Sequence, residues 1–238
     1  MIKFFKGILL LSLLLSCSSK ENNSNPVAGK DAFTQNADSE VREEVEEYLS
    51  SEDFDRLVKS YEDPNRVQWQ NPDLVLEKLG NLEGRVVADI GAGSGYFTFR
   101  MAQTAKKVIA IDIDPRFLEY IDERKEESPG DISQRIETRQ TEEDDPGLAP
   151  AEADIALVVN TYHFLNNRSE YFKKVKQGLG KGGFLVIVDF KNMPMPVGPP
   201  EELKVEPETV VKELREAGFR EFTLDEKSLQ YQYIIIAG

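Results

Sequence analysis

The stretch Val86-Val87-Ala88-Asp89-Ile90-Gly91-Ala92-Gly93-Ser94-Gly95 constrains this chain more than any other. An apolar, β-branched run ends in an acid and then in a turn with glycine at three alternate positions. Such a run reads as a buried strand, and alternate glycines let the backbone turn tightly off it and approach a ligand with no Cβ in the way. A strand, a tight turn and a helix in that order form the opening of a βαβ unit. The spacing is G-x-G-x-G, with Tyr96 where a dinucleotide fingerprint has its third glycine.

Downstream of the turn, strands and helices alternate. Strands are predicted at 86–90, 107–112, 135–139, 154–160, 183–190, 219–224 and 230–236, and helices at 95–105, 115–127, 168–179 and 207–217. Regular alternation with fully apolar strands implies a parallel sheet covered on both faces. Too few residues separate the last two strands for a crossover, so they must pair as a hairpin. The expected fold is α/β: a three-layer sandwich whose mostly parallel, seven-stranded sheet ends in an antiparallel hairpin. Upstream, Val41, Val45, Tyr48 and Leu49 share one helical face, and Phe54, Leu57, Val58 and Tyr61 repeat the period. Asn71-Pro72 predicts a capped helix start and Gly80 its end.

The N-terminus reads as a targeting segment. Lys3 and Lys6 precede an apolar run from Gly7 to Leu15, about half of the ~20 residues that span a bilayer. The run ends in Leu14-Leu15-Ser16-Cys17, which resembles the lipobox of bacterial lipoprotein signal peptides. Cys17 is the chain's single cysteine, which argues against redox or metal chemistry and for a lipidated N-terminus, with an uncleaved short anchor or a chance match as the rival readings. Ser18 to about Asp38 is polar and poor in apolar residues, as a flexible tether is. The expected organisation is a signal peptide at 1–16, a lipidated tether at 17–39, a helical lid at 40–84 and a catalytic domain at 85–238. The expected location is the bacterial cell envelope, on the periplasmic or outer-membrane side, with a membrane partner through the lipid anchor.

With an acid two residues before its first glycine, the 86–95 turn resembles motif I of the class I S-adenosylmethionine-dependent methyltransferases. The resemblance spans roughly 60–238, and the closing hairpin agrees with it, since the dinucleotide fold lacks one. Asp112 ends the buried run Val108-Ile109-Ala110-Ile111, 21 residues after Gly91. An acid there can accept both ribose hydroxyls of an adenosine, whereas Asp114 before Pro115 is the better helix cap. The resemblance implies S-adenosyl-L-methionine as cofactor. It implies backbone contacts from Gly91, Ala92 and Gly93, the methionine amino group near Asp89 and Asn160, and the adenosine near Asp112 and Ile113. Glu142, with Glu143 as its neighbour, stands nearest the place where the family meets the adenine amino group, although four successive acids also read as a solvated run. Lys181 replaces the proline of the family's leucine-x-proline-glycine-glycine turn at 179–183.

At the end of the fourth strand, Asn160-Thr161-Tyr162-His163-Phe164 contains the only histidine. Ligands of such sheets bind at the carboxyl ends of the strands. Tyr162 and His163 are thus candidates to line an acceptor pocket, with His163 a candidate base; a packed histidine is the bland alternative. Arg66, Trp69 and Gln70 precede the first strand, where a lid covers the site, and Trp69 reads either as core or as a substrate wall. A net charge of −14 argues against nucleic acid as a partner. Cys17 aside, no thiol is present to bind arsenic, which disfavours that acceptor. The expected partner is a small-molecule or membrane-proximal acceptor. Two rival functions are a non-catalytic lipoprotein that keeps the fold and an NAD(P)-dependent oxidoreductase.

Overall fold

The computed structural model describes residues 54–195 and 198–238. Cys17, the expected signal peptide and tether, and the helical pattern from Glu40 to Leu49 lie outside them. Three short helices open the described chain: α1 (Phe54–Tyr61), α2 (Arg66–Gln70) and α3 (Pro72–Leu79). The Asn71 side chain accepts a bond from Leu74 N, Pro72 occupies the first turn, and Gly80 ends α3 at φ +71°, as the cap residues predict.

Seven strands follow: β1 (Val86–Ile90), β2 (Lys107–Asp112), β3 (Ile136–Gln140), β4 (Ala153–Val159), β5 (Leu179–Phe190), β6 (Phe222–Asp225) and β7 (Gln232–Ala237). Between them run α4 (Thr98–Met101), α5 (Pro115–Glu127), α6 (Gly130–Ser133), α7 (Arg168–Gly178) and α8 (Pro207–Ala217). The sheet order is β3-β2-β1-β4-β5-β7-β6. β1 through β5 are parallel, and β7 is antiparallel to both its neighbours, so the hairpin is present with β6 rather than β7 at the edge.

Alternation along each strand builds two cores. Val87, Val108, Ala110, Leu157 and Val188 point to the face that carries Val75, Leu79, Met101 and Ile121. Ala88, Ile90, Ile109, Val158 and Ile187 point to the other, against Phe172, Val175, Val210 and Leu214. Period-two patterning with apolar residues on both faces forces helices onto both, since each buried aliphatic side chain contributes roughly 1.5–3 kcal/mol.

Two local expectations are refined. The helix predicted at 95–105 is formally only Thr98–Met101, continued by looser turns from Phe99 N→Gly95 O to Ala105 N→Met101 O. The glycine turn predicted at 179–183 is drawn into β5 as a bulge: pairing jumps from Ala153 with Leu179 to Ile155 with Phe184. Gly183 packs there so tightly that a Cβ would stand 2.8 Å from Asp154 O.

Candidate active site

The sheet order reverses between β1, which continues toward β2, and β4, which continues toward β5. In open α/β sheets the ligand crevice lies at that switch point, beyond the strands' carboxyl ends. The loops after β1 and β4 meet there, and a Cβ on Gly91 would lie 2.3 Å from Thr161 Oγ1. Gly91, Gly93 and Gly95 adopt φ of +71°, +51° and +78°, where side chains are strained. Gly91 N and Ala92 N both donate to Ile111 O, which ties the turn to the end of β2.

Two carboxylates sit under and beside this turn. Asp89 is buried and accepts the Thr98 hydroxyl at 2.6 Å. Burial pushes its pKa up to about 6, against the lowering pull of Thr98 and the Arg66 guanidinium. Asp112 receives Gly93 N at 2.8 Å and Asp114 N at 3.0 Å, and burial likewise raises it. Each carboxylate oxygen has lone pairs to spare. Next to Asp112 the Ile113 side chain is about half exposed, an apolar face beside a hydrogen-bonding acid. Glu142 and Glu143 lie exposed just past β3, one bond from β2 through Thr141 N→Asp112 O.

Above the turn lie the first two helices. Tyr61 stacks on Phe117, and a Cβ on Gly93 would stand 3.2 Å from its ring. Glu62 accepts both Ser94 Oγ and Arg124. Arg66 is buried with its guanidinium 4.1 Å from the Tyr96 ring centre, and burial pushes its pKa down to about 10. It donates to Tyr61 O and to Gln70 Oε1. Gln70 and Gln232 both donate to Asn160 Oδ1, at the left-handed residue that follows β4. Gln232 Oε1 is buried without a hydrogen-bond partner.

His163 and Tyr162, adjacent in the short helical turn after β4, are sent opposite ways. His163 turns toward the end of β5, with Nδ1 2.9 Å from an Asp189 oxygen and both side chains 2 % exposed. Tyr162 does not line the pocket. Its ring stacks on Phe172 in the α7–α8 layer, its hydroxyl bonds Glu213, and burial holds that hydroxyl protonated. In a turn of about three residues per cycle, neighbours cannot share a face. Trp69 is half-buried and stacks on Phe190 at 6.0 Å.

Sequence reasoning missed Thr98, Thr161, Gln232 and Asp189. A signal existed for the last: Val186-Ile187-Val188-Asp189 repeats the buried strand ending in an acid already seen at Asp89 and Asp112. The donor set suits a cationic ligand with a ribose. Two carboxylates raised by burial can accept further bonds, and one buried amide oxygen has no donor at all; an ammonium group and sugar hydroxyls supply such donors. Among the described residues no group of three His, Cys, Asp or Glu side chains is placed to hold a metal.

Comparison with known proteins agrees with this geometry. Residues 88–187 match the methyltransferase domain family. An S-adenosylmethionine-dependent methyltransferase from Aquifex aeolicus is 25 % identical with a TM-score of 0.70, over 79 % of this chain and 98 % of that one. The demethylmenaquinone methyltransferase of Tropheryma whipplei is 29 % identical over 146 residues, and the match spans 58 % of each chain. The tRNA U34 carboxymethyltransferase of Cellvibrio japonicus is 47 % identical over 55 residues, 17 % of its length. This chain thus matches less than two thirds of the length of these curated relatives. Its fold is that of the class I S-adenosylmethionine-dependent methyltransferases, and S-adenosylmethionine is the cofactor its crevice is built for.

Proposed function

We propose that this chain transfers a methyl group from S-adenosylmethionine to a small acceptor held against the His163 wall, while Cys17 tethers it to a membrane. The observation that carries the reading is the pair of carboxylates, buried Asp89 and half-buried Asp112, flanking a turn of positive-φ glycines at the switch point. When bound, the cofactor supplies a methyl group on a sulfonium, which an acceptor displaces in line. Asp112 and Ile113 would hold the adenosine, Asp89 and Asn160 the methionine end, and Gly91 to Gly93 would let the backbone close around it. α1 and α2, tied down through Glu62 and Gln70, exclude water from that end. In-line alignment of donor and acceptor supplies much of the acceleration in such a displacement.

Of the curated relatives, one is a demethylmenaquinone methyltransferase and another transfers a carboxymethyl group to a tRNA uridine. A net charge of −14 favours a small or membrane-proximal acceptor over a nucleic acid. The lipobox-like Leu14-Leu15-Ser16-Cys17 supports placement in the bacterial cell envelope, on the periplasmic or outer-membrane side. Calorimetric titration of the full chain with S-adenosylhomocysteine tests the enzymatic reading. Micromolar affinity that falls at least tenfold in Asp112→Ala is expected. NAD(H) binding instead would indicate an oxidoreductase, and binding of neither a non-catalytic lipoprotein. Cys17→Ala should abolish acylation and release the chain from the membrane fraction; retention there would refute the anchor.

A further inference from the structure

We propose that the acceptor is a flat aromatic ring bearing an ionisable hydroxyl, whose proton passes to His163 Nε2 while Asp189 holds that imidazole in place. This rests on the methyl-transfer reading above and names the substrate class of the same crevice.

Consider the dyad first. Asp189 closes β5 as a buried carboxylate whose Oδ1 also accepts Phe190 N at 2.7 Å, so it is fixed by its own backbone. With that oxygen 2.9 Å from Nδ1, the ring proton belongs on Nδ1 and Nε2 is left as an acceptor. Among the described residues, Asp189 is the one charged group bonded to His163, and Nε2 has no hydrogen-bond partner. A strut that merely ties a turn to a strand needs only one ring nitrogen. The second nitrogen is the one a substrate can use.

Two rings flank the imidazole and a third stacks on one of them. Trp69 stacks on Phe190 at 6.0 Å, Phe190 stands edge-on to His163 at 6.0 Å, and Phe164 tilts over the imidazole at 4.1 Å. Phe164 is 46 % exposed, an apolar ring facing water beside a buried dyad. Flat rings gain from offset or edge contacts with such a wall beyond their buried area, which an aliphatic chain does not. Proton energetics select the hydroxyl. A phenol ionises at about 10, low enough for a positioned base to take its proton. An aliphatic alcohol ionises about as reluctantly as bulk water, near 15.7, and gives up its proton far less readily. A carboxylate needs no base at all.

The balance is simple. The acceptor O–H bond breaks and its proton rests on Nε2, and the freed oxygen pair forms the O–CH₃ bond. The pair from the broken S–CH₃ bond stays on sulfur, while the imidazolium is stabilised by Asp189. Asp189 is thus a positioning residue and His163 the catalytic one.

The test uses the full chain saturated with S-adenosylhomocysteine, and para-nitrophenol as a non-reacting probe whose phenolate absorbs separately. Trp69 is the only tryptophan in the sequence, so its fluorescence reports on this wall alone. Saturable quenching is expected, together with ionisation of the bound probe about one pH unit or more below that of the free probe. His163→Ala should keep the quenching and lose the ionisation shift, and His163→Asn should behave the same way. Asp189→Asn should lose at least half of the shift, and Asp189→Glu should restore most of it. Adenosylhomocysteine calorimetry on each variant shows that the crevice is intact. If adenosylhomocysteine binds but the probe neither quenches nor ionises, the aromatic acceptor is refuted and methyl transfer stands. If His163→Ala ionises the probe like the parent chain, the base is refuted. If adenosylhomocysteine fails to bind, the methyl-transfer reading itself falls.

Discussion

At the residue scale, Asp89 couples stability to binding with opposite signs. Its folded pKa of about 6 lies above the ordinary carboxylate value near 3.9 of an unfolded chain. The folded state therefore keeps a proton that the unfolded chain loses between about pH 4 and 6. Stability from this group falls as pH rises through that window and is constant above it. Asp89→Asn removes the burial cost while an amide oxygen still accepts the Thr98 hydroxyl. The variant should be more stable than the parent at pH 8, by about 1–3 kcal/mol in urea unfolding, yet bind adenosylhomocysteine at least tenfold more weakly. Loss of stability at pH 8 would show that the carboxylate is paired rather than penalised. Gly91 carries the complementary constraint. A Cβ there meets Thr161 at 2.3 Å, and φ of +71° strains any other residue. Gly91→Ala should cost more than the ~1–2 kcal/mol of a left-handed alanine alone, because Thr161 and the β4 loop must also move. A double variant with Thr161→Gly should recover the clash but not the strain, as differential melting would show.

At the element scale, α3 is bound to the sheet by more than its apolar face. Val75 and Leu79 enter the core, and Lys78 reaches Asp225 at 2.8 Å, at the end of β6. Asp225 also accepts Ser228 Oγ, Ser228 N and Lys227 N, so Lys78 and these donors hold its carboxyl well below the usual range. A depressed carboxylate stabilises the fold above about pH 4, its unfolded value, and loses that contribution as pH falls further. Asp225→Ala should therefore cost about 1–3 kcal/mol at pH 7, and the difference from the parent should shrink toward pH 3. Elements of this kind were legible in the sequence where periodicity was strong: the strands at 86–90 and 107–112 and the helices at 115–127 and 207–217 fall where the pattern puts them. Contacts across elements were not. Asp189 reaches His163 from 26 residues away, and Gln232 reaches Asn160 from 72, distances over which no sequence spacing carries information. Tyr162 shows the same limit at short range. Its neighbour turns to Asp189 on β5 and it turns to Glu213 on α8, because a single 3₁₀ turn decides the direction and the residue names do not.

At the scale of the whole molecule, the unit Glu52–Gly238 is unevenly held. Strand residues such as Val186, Ile187 and Ile235 are fully buried, whereas α1 contributes Leu57 alone to the buried set. What secures α1 and α2 is mostly polar or aromatic: Phe54 and Tyr61 on Phe117, Glu62 on Ser94 and Arg124, Gln70 on Asn160. Segments with few buried apolar contacts open locally far below the free energy of global unfolding. A ligand wedged between the glycine turn and these helices would add contacts on both sides and close that gap. Hydrogen exchange should therefore slow over 54–70 and 91–98 when adenosylhomocysteine is added, with little change at 185–188 and 234–236. At a ligand concentration of about 100 times Kd the folded state gains about 2.7 kcal/mol, which for a domain of this size raises Tm by roughly 5–10 °C. A rise in Tm without protection of 54–70 would mean that the cofactor binds to the sheet alone and that the two helices are not its lid.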